Sequence, residues 1–267
     1  MTSQDSIDLH FKKLFLSNPD SHKGENGKLL IIGGSELFHA ASKWSLDTAS
    51  KIVDMVFYSS VPENNELITL AKKNFWNGIV ISRGDIEKYI EEADCVLIGP
   101  GMDRSTDTEK ITNDLLSKYP DKKWVIDAGA LQMIDIKLLN KNHIITPHKK
   151  EMILLQKNGF DKENFQGTIL LKGKVDTITS QQEKLEITGG NSGMTKGGTG
   201  DVLAGLVASL YCKNDALTSS VVGSFVNKKA GDILFEKVGP YFNTSDLVEI
   251  IPKALWDQQQ QIYKKIQ

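Results

Sequence analysis

The chain has 267 residues, 40% of them hydrophobic, enough to bury the core of one large α/β domain spanning 1–267. A net charge of −2 and an isoelectric point near 6.2 give no general attraction to nucleic acid or anionic membrane, and Cys95 and Cys212 lack disulfide or metal-ligand spacing. Charged residues throughout the N-terminal stretch and the lack of about 18 unbroken apolar residues anywhere argue against a signal peptide or spanning helix, so a soluble cytoplasmic protein is expected.

Ile7, Phe11, Leu14 and Phe15 fall at helical spacing, so residues 1–27 read as an arm with one short amphipathic helix. The apolar run Lys28–Ile32, the turn Gly33-Gly34-Ser35 and the helical stretch Phe38–Ser50 then form a βα unit. Without a third spaced glycine this is no dinucleotide fingerprint, and close strand-to-helix packing is the bare reading. Further strands are expected at Ile52–Tyr58, Ile79–Ser82, Asp94–Ile98, Trp124–Ile126 and Ile144–Ile145, with helices at Thr108–Lys118 and Lys149–Lys157. That alternation predicts a doubly wound, mainly parallel sheet with helices on both faces.

Polar or glycine residues end these strands, and ligands bind along that edge of open parallel sheets. Ser35, Gly101, Asp127 and His148 are therefore expected to line one crevice. Asp127 either meets a substrate hydroxyl or caps the turn after it, and His148 either faces a ligand or is structural. From Thr168 to Thr188 three short strands with tight turns read as a small antiparallel meander at the sheet edge. Long helices over Leu217–Phe235 and Ser245–Tyr263 close the chain.

Residues 191–210 hold five glycines and Asp201 ahead of and within an apolar run at helical spacing. Gly197-Gly198-Thr199-Gly200 thus opens a buried helix whose free amides suit an anion. Asp201 in its first turn either favours the helix dipole or accepts a proton from a hydroxyl attacking phosphorus. No Lys-Ser or Lys-Thr follows the last glycine, so the loop is not a Walker A motif.

Taken together, Gly33-Gly34-Ser35, Gly99-Pro100-Gly101, Asp127-Ala128-Gly129, Thr146-Pro147-His148-x-x-Glu151, Leu171-Lys172-Gly173 and Gly193–Gly205 resemble the nucleotide-dependent NAD(P)H-hydrate dehydratases, a branch of the ribokinase-like superfamily. The resemblance implies a metabolite-repair lyase. It would spend ADP or ATP, with Mg²⁺, to phosphorylate the ring hydroxyl of the NADH or NADPH hydrate and eliminate phosphate. It also implies a homo-oligomer, a tetramer in many relatives, and a hydrate epimerase on a separate chain. The other reading within the superfamily is a kinase for a thiazole, pyrimidine or pyridoxal alcohol, or for a sugar.

By the same resemblance Asp201 is the base, and Gly198, Thr199 and Gly200 hold the transferring phosphoryl group. Ala40, Gly101, His148 and Asp201 touch the hydrate. Lys172, Gly173, Lys174, Val175, Asp176 and Gly200 bind nucleotide, and Glu151 orders water around magnesium. A branched side chain at Gly101 is accordingly expected to act mainly on the KM for the hydrate. Lys196, His39 and the Lys174-Val175-Asp176 turn depart from the family pattern.

Overall fold

A computed structural model of the chain describes residues 3–264. The elements run α1 (Ser3–Lys13), β1 (Lys28–Ile32), α2 (Ala40–Ala49), β2 (Met55–Ser59), α3 (Pro62–Ala71), β3 (Ile79–Val80), α4 (Ile86–Glu92), β4 (Cys95–Ile98), α5 (Thr106–Lys118) and β5 (Lys123–Ile126). They continue with α6 (Ala128–Met133), β6 (His143–Ile145), α7 (Lys149–Lys157), β7 (Thr168–Leu171), β8 (Asp176–Thr179), β9 (Lys184–Ile187), α8 (Thr199–Tyr211), α9 (Ala216–Val238) and α10 (Thr244–Lys264).

Apolar residues on both sides of each central strand force a sheet covered on both faces. Leu29, Ile31, Cys95, Leu97 and Val125 pack into one core, with α1, α2, α3, α8, α9 and α10. Their neighbours Leu30, Ile32, Val96, Ile98, Trp124 and Ile126 pack into the other, with α4, α5, α6 and α7. The period of two in side-chain direction is what divides an unbroken apolar run between two cores.

The sheet order is β3-β2-β1-β4-β5-β6-β7-β8-β9. All pairs from β3 to β7 are parallel, and β7, β8 and β9 pair antiparallel. The doubly wound architecture and its edge meander are therefore as expected. The chain reverses direction across the sheet after β3, so β1 and β4 stand side by side at a switch point, where their carboxyl ends splay their loops apart.

Several boundaries differ from the sequence reading. The strand expected from Ile52 starts at Met55, because Ile52 and Val53 donate to the carbonyl of Ala49 and continue the end of α2. β3 shrinks to two residues. Helices α3, α4 and α6 were not anticipated. In α3 and α4 only Ile68, Ile86 and Ile90 supply buried apolar side chains, too few for a periodic signal.

Candidate active site

The strand ends and the start of α8 meet above the middle of the sheet. Gly198, at the N-cap of α8, has φ +99°, which favours glycine, and a Cβ there would lie 2.2 Å from the Trp44 ring. The turn is pinned through its oxygens: Thr244 Oγ1 donates to the Gly197 carbonyl at 2.7 Å, and Thr199 Oγ1 donates to the Met194 carbonyl at 2.8 Å. The amides of Gly198, Thr199 and Gly200 keep the orientation of a helix start, where no carbonyl of the helix can reach them. Asp201 follows one residue later, and its carbonyl accepts from Ser45 Oγ of α2 at 2.8 Å, which fixes the two helices side by side.

Asp201 is half-buried in company that opposes its charge. Burial first, then Asp127, with a smaller push from Glu151, raises its carboxyl to about 7 against the pull of Lys172. Lys172, just beyond β7, donates from Nζ to Asp127 Oδ1 at 2.6 Å, and the Asp127 side chain is 2% exposed. Burial works against the Lys172 ammonium, but Asp127, Glu151 and Asp201 outweigh it and raise its pKa. One lysine thus stands among three carboxylates. Next to Asp127, Ala128 has φ +45° and is the one non-glycine residue with positive φ among those described, a strained turn at the edge of the site.

His148 and Glu151 form a reciprocal cap at the start of α7. The Glu151 amide donates to His148 Nδ1 at 3.1 Å, and the His148 amide donates to Glu151 Oε2 at 2.8 Å. An Nδ1 that accepts carries no proton, so the neutral ring carries its hydrogen on Nε2, and the side chain is half exposed. Gln132 donates to Glu151 Oε1 at 2.9 Å. Both carboxylate oxygens therefore have a partner and a lone pair to spare. Among the described residues no cluster of three or more His, Cys, Asp or Glu forms a metal cage. That donor set fits Mg²⁺ held chiefly by substrate phosphates, with water between it and the protein.

Beside Gly200 lies a cavity of about 730 Å³ bordered by His148, Lys172, Gly173, Lys174 and Asp176. Asp176 is 4% exposed and works from beneath: it accepts from the Gly173 amide at 2.8 Å and from Ser224 Oγ at 2.7 Å, and pairs with Lys228 at 3.4 Å. Val175 points to solvent at the loop tip and does not border the cavity. His148, which the resemblance assigns to the hydrate, and Lys172, which it assigns to the nucleotide, are bridged as paired backbone, with the Lys172 amide donating to the Pro147 carbonyl at 2.8 Å. Gln132, Ser224 and Lys228 were missed, although polar residues at 224 and 228 inside an apolar helix were a visible cue.

On the other side, around the β1–α2 turn, a second cavity of about 630 Å³ is bordered by Gly34, Ser35, Phe38, Arg83 and Met102. Ala40 opens α2 and is exposed. Gly101 is buried with φ +73°, and a Cβ there would lie 2.9 Å from the Phe38 carbonyl oxygen and 3.0 Å from Ala41 Cβ. Gly101→Val should therefore unsettle the β1–α2 turn before it obstructs any ligand. Thermal or denaturant unfolding should show a loss of about 2–5 kcal/mol, from positive φ plus overpacking. An unchanged unfolding midpoint would contradict this. Lys196 faces away from the site, donating to the Pro240 carbonyl and lying 5.2 Å over the Phe242 ring.

The family model described as NAD(P)H-hydrate dehydratase matches residues 29–253, which include every one of these groups. The chain belongs to this family. It is 39% identical over 251 residues to the bifunctional NAD(P)H-hydrate repair enzyme of Methanocaldococcus jannaschii, covering 91% of this chain and 51% of that one. The chain spans about half the length of the bifunctional relatives it matches. It is 33% identical to the ADP-dependent (S)-NAD(P)H-hydrate dehydratase of Nitrosopumilus maritimus, over 88% of this chain and 90% of that one. The ADP/ATP-dependent dehydratase of Bacillus subtilis, co-crystallized with ATP and Mg²⁺, superposes with a TM-score of 0.78 at 22% identity, covering 95% and 97% of the two chains. The fold is the ribokinase-like one of this family.

Proposed function

We propose that the chain is an ADP- or ATP-dependent (S)-NAD(P)H-hydrate dehydratase. The observation that carries this reading is the placement of Asp201 one residue beyond the free amides of the α8 turn, with its carboxyl raised to about 7. A base tuned near neutrality beside an anion-binding turn is what phosphorylation of a hydroxyl needs. The named relatives supply the substrate class.

Asp201 takes the proton of the ring hydroxyl as its oxygen attacks the terminal phosphorus of the nucleotide. The Gly198, Thr199 and Gly200 amides hold the transferring group, and Lys172 offsets negative charge beside Gly200. Phosphate then leaves with a proton from the adjacent ring carbon, and the double bond returns. With ADP the products are NADH or NADPH, AMP and inorganic phosphate.

In this reading the nucleotide lies along Lys172, Gly173 and Lys174, reaching Gly200, with Asp176 holding that loop from beneath. The hydrate approaches from Ala40 and Gly101, and the exposed His148 ring donates from Nε2. Glu151 would order water around a bound Mg²⁺, which would supply charge neutralisation of the phosphates. One domain, a homotetrameric assembly, a cytoplasmic setting and an epimerase acting on the same hydrate belong to the same proposal. Among the described residues no helix is long and apolar enough to cross a membrane.

The test is direct. Purified protein with Mg²⁺, NADH hydrate and ADP or ATP should restore the absorbance of reduced nicotinamide and release phosphate in equal amounts. A stable phosphorylated product without NADH would establish a kinase instead.

A further inference from the structure

Two loops border the cavity beside Gly200: the β7–β8 turn at Lys172, Gly173 and Lys174, and the segment after β9 at Gly189, Gly190 and Asn191. Helix α9 holds both. Lys228, its side chain 8% exposed, donates from Nζ to the Gly173 and Lys174 carbonyls, each at 3.1 Å, and pairs with Asp176 at 3.4 Å. One turn on, the Asp232 carboxylate accepts from the Gly190 amide and from Asn191 Nδ2, each at 3.1 Å. The stem of Lys228 also lies against the second loop, where a Cβ at Gly189 would come 3.6 Å from the Lys228 Cβ and one at Gly190 would come 3.5 Å from its Cγ.

Residues at i, i+4 and i+8 share one helical face, so Ser224, which donates to Asp176, Lys228 and Asp232 form a single row tied to both loops. The three protons of the Lys228 ammonium meet three protein acceptors, so its charge is spent on holding the loop and none of its donors is left for a ligand. Glycine backbone has the most freedom to lose. Loops built on Gly173, Gly189 and Gly190, the last two with φ +105° and +76°, therefore need an external anchor to keep one shape.

We propose that Lys228 and Asp232 are positioning residues for the nucleotide: they hold the two loops in the shape that receives it, so that binding does not have to order them. The inference rests on the nucleotide-dependent reading above and adds the residues of α9 on which nucleotide affinity depends. The pair also separates positioning from direct attraction. A carboxylate near a polyphosphate repels it, so removing Asp232 should tighten nucleotide binding if charge alone mattered, whereas release of its loop should weaken it.

Titration calorimetry of ADP on the full chain, with no hydrate present, tests this. Asp232→Ala should weaken ADP by about 10-fold, the scale of ordering one released residue on binding. Asp232 is half-buried and its removal strands no charge, so this variant keeps the fold. Lys228→Met, which keeps most of the stem and removes the ammonium, should weaken ADP by at least as much. In turnover both variants should raise the KM for nucleotide by about 10-fold and leave that for the hydrate within about two-fold. Unchanged or tighter ADP binding by Asp232→Ala overturns the proposal, whether or not Lys228→Met folds. So does a lower unfolding midpoint in either variant with ADP affinity intact, which would make the contacts structural only. Weakened ADP in both variants, from a chain that does not turn over hydrate, would sink the proposed activity and still support the anchoring by α9. An unaltered chain that binds no ADP overturns both.

Discussion

Asp201→Asn should lower turnover of NADH hydrate by roughly 10²–10⁴-fold, with nucleotide affinity nearly unchanged. The substitution keeps the side-chain size and the amides of the α8 turn, and removes the basicity. In the unaltered chain the acid limb of kcat/KM should fall at about 7, the value to which burial and then Asp127 push the carboxyl. The same shift fixes a stability signature. Because the folded carboxyl is raised from 3.8 to about 7, the folded state holds its proton more tightly than the unfolded chain does. The resulting stabilisation is complete below 3.8 and is lost as pH rises through 7. The Asn variant has no such proton to lose. It should be the more stable protein at pH 8, by on the order of 2 kcal/mol after allowing for the partial exposure of Asp201. Near-normal turnover would remove Asp201 as the base, and a stability difference that ignores pH would remove the shifted carboxyl.

Lys172→Met should destabilise the fold by about 3–5 kcal/mol, because it strands Asp127, 2% exposed, as an unpaired buried carboxylate. Lys172 is also the charge that holds the Asp201 carboxyl down against Asp127 and Glu151. With it gone, the acid limb of kcat/KM should move upward and turnover near neutrality should fall by at least about 10-fold, one pKa unit being a factor of ten in the ionised fraction. Adding Asp127→Asn removes the stranded charge, so the double variant should regain much of the lost stability. That coupling is read by denaturant unfolding of the four proteins in the cycle. Simple additivity of the two single variants would show that the pair does not act as one unit.

Much of the architecture follows from local pattern. Short apolar runs such as Lys28–Ile32 and Asp94–Ile98 alternate with helical stretches, and a strand buried on both faces has no other way to hide its side chains. The α8 turn is equally local, since five glycines and an aspartate within 191–210 specify both the backbone freedom and the charge. Helix α4, with Ile86 and Ile90 as its buried apolar residues, left no comparable trace.

What sequence could not decide is which charges meet. Lys172 and Asp127 lie 45 positions apart and come together because β6 sits between β5 and β7. The raised carboxyl of Asp201 depends on burial and on neighbours from two other strand ends, neither of which has a sequence period. The roles of Asp176 and Gly101 likewise wait on packing: one holds a loop from beneath, and one is closed in by the β1–α2 turn. Periodicity and turn chemistry act over a few residues and are written in the chain. Desolvation and Coulomb coupling act through space, so the tertiary structure alone assigned them.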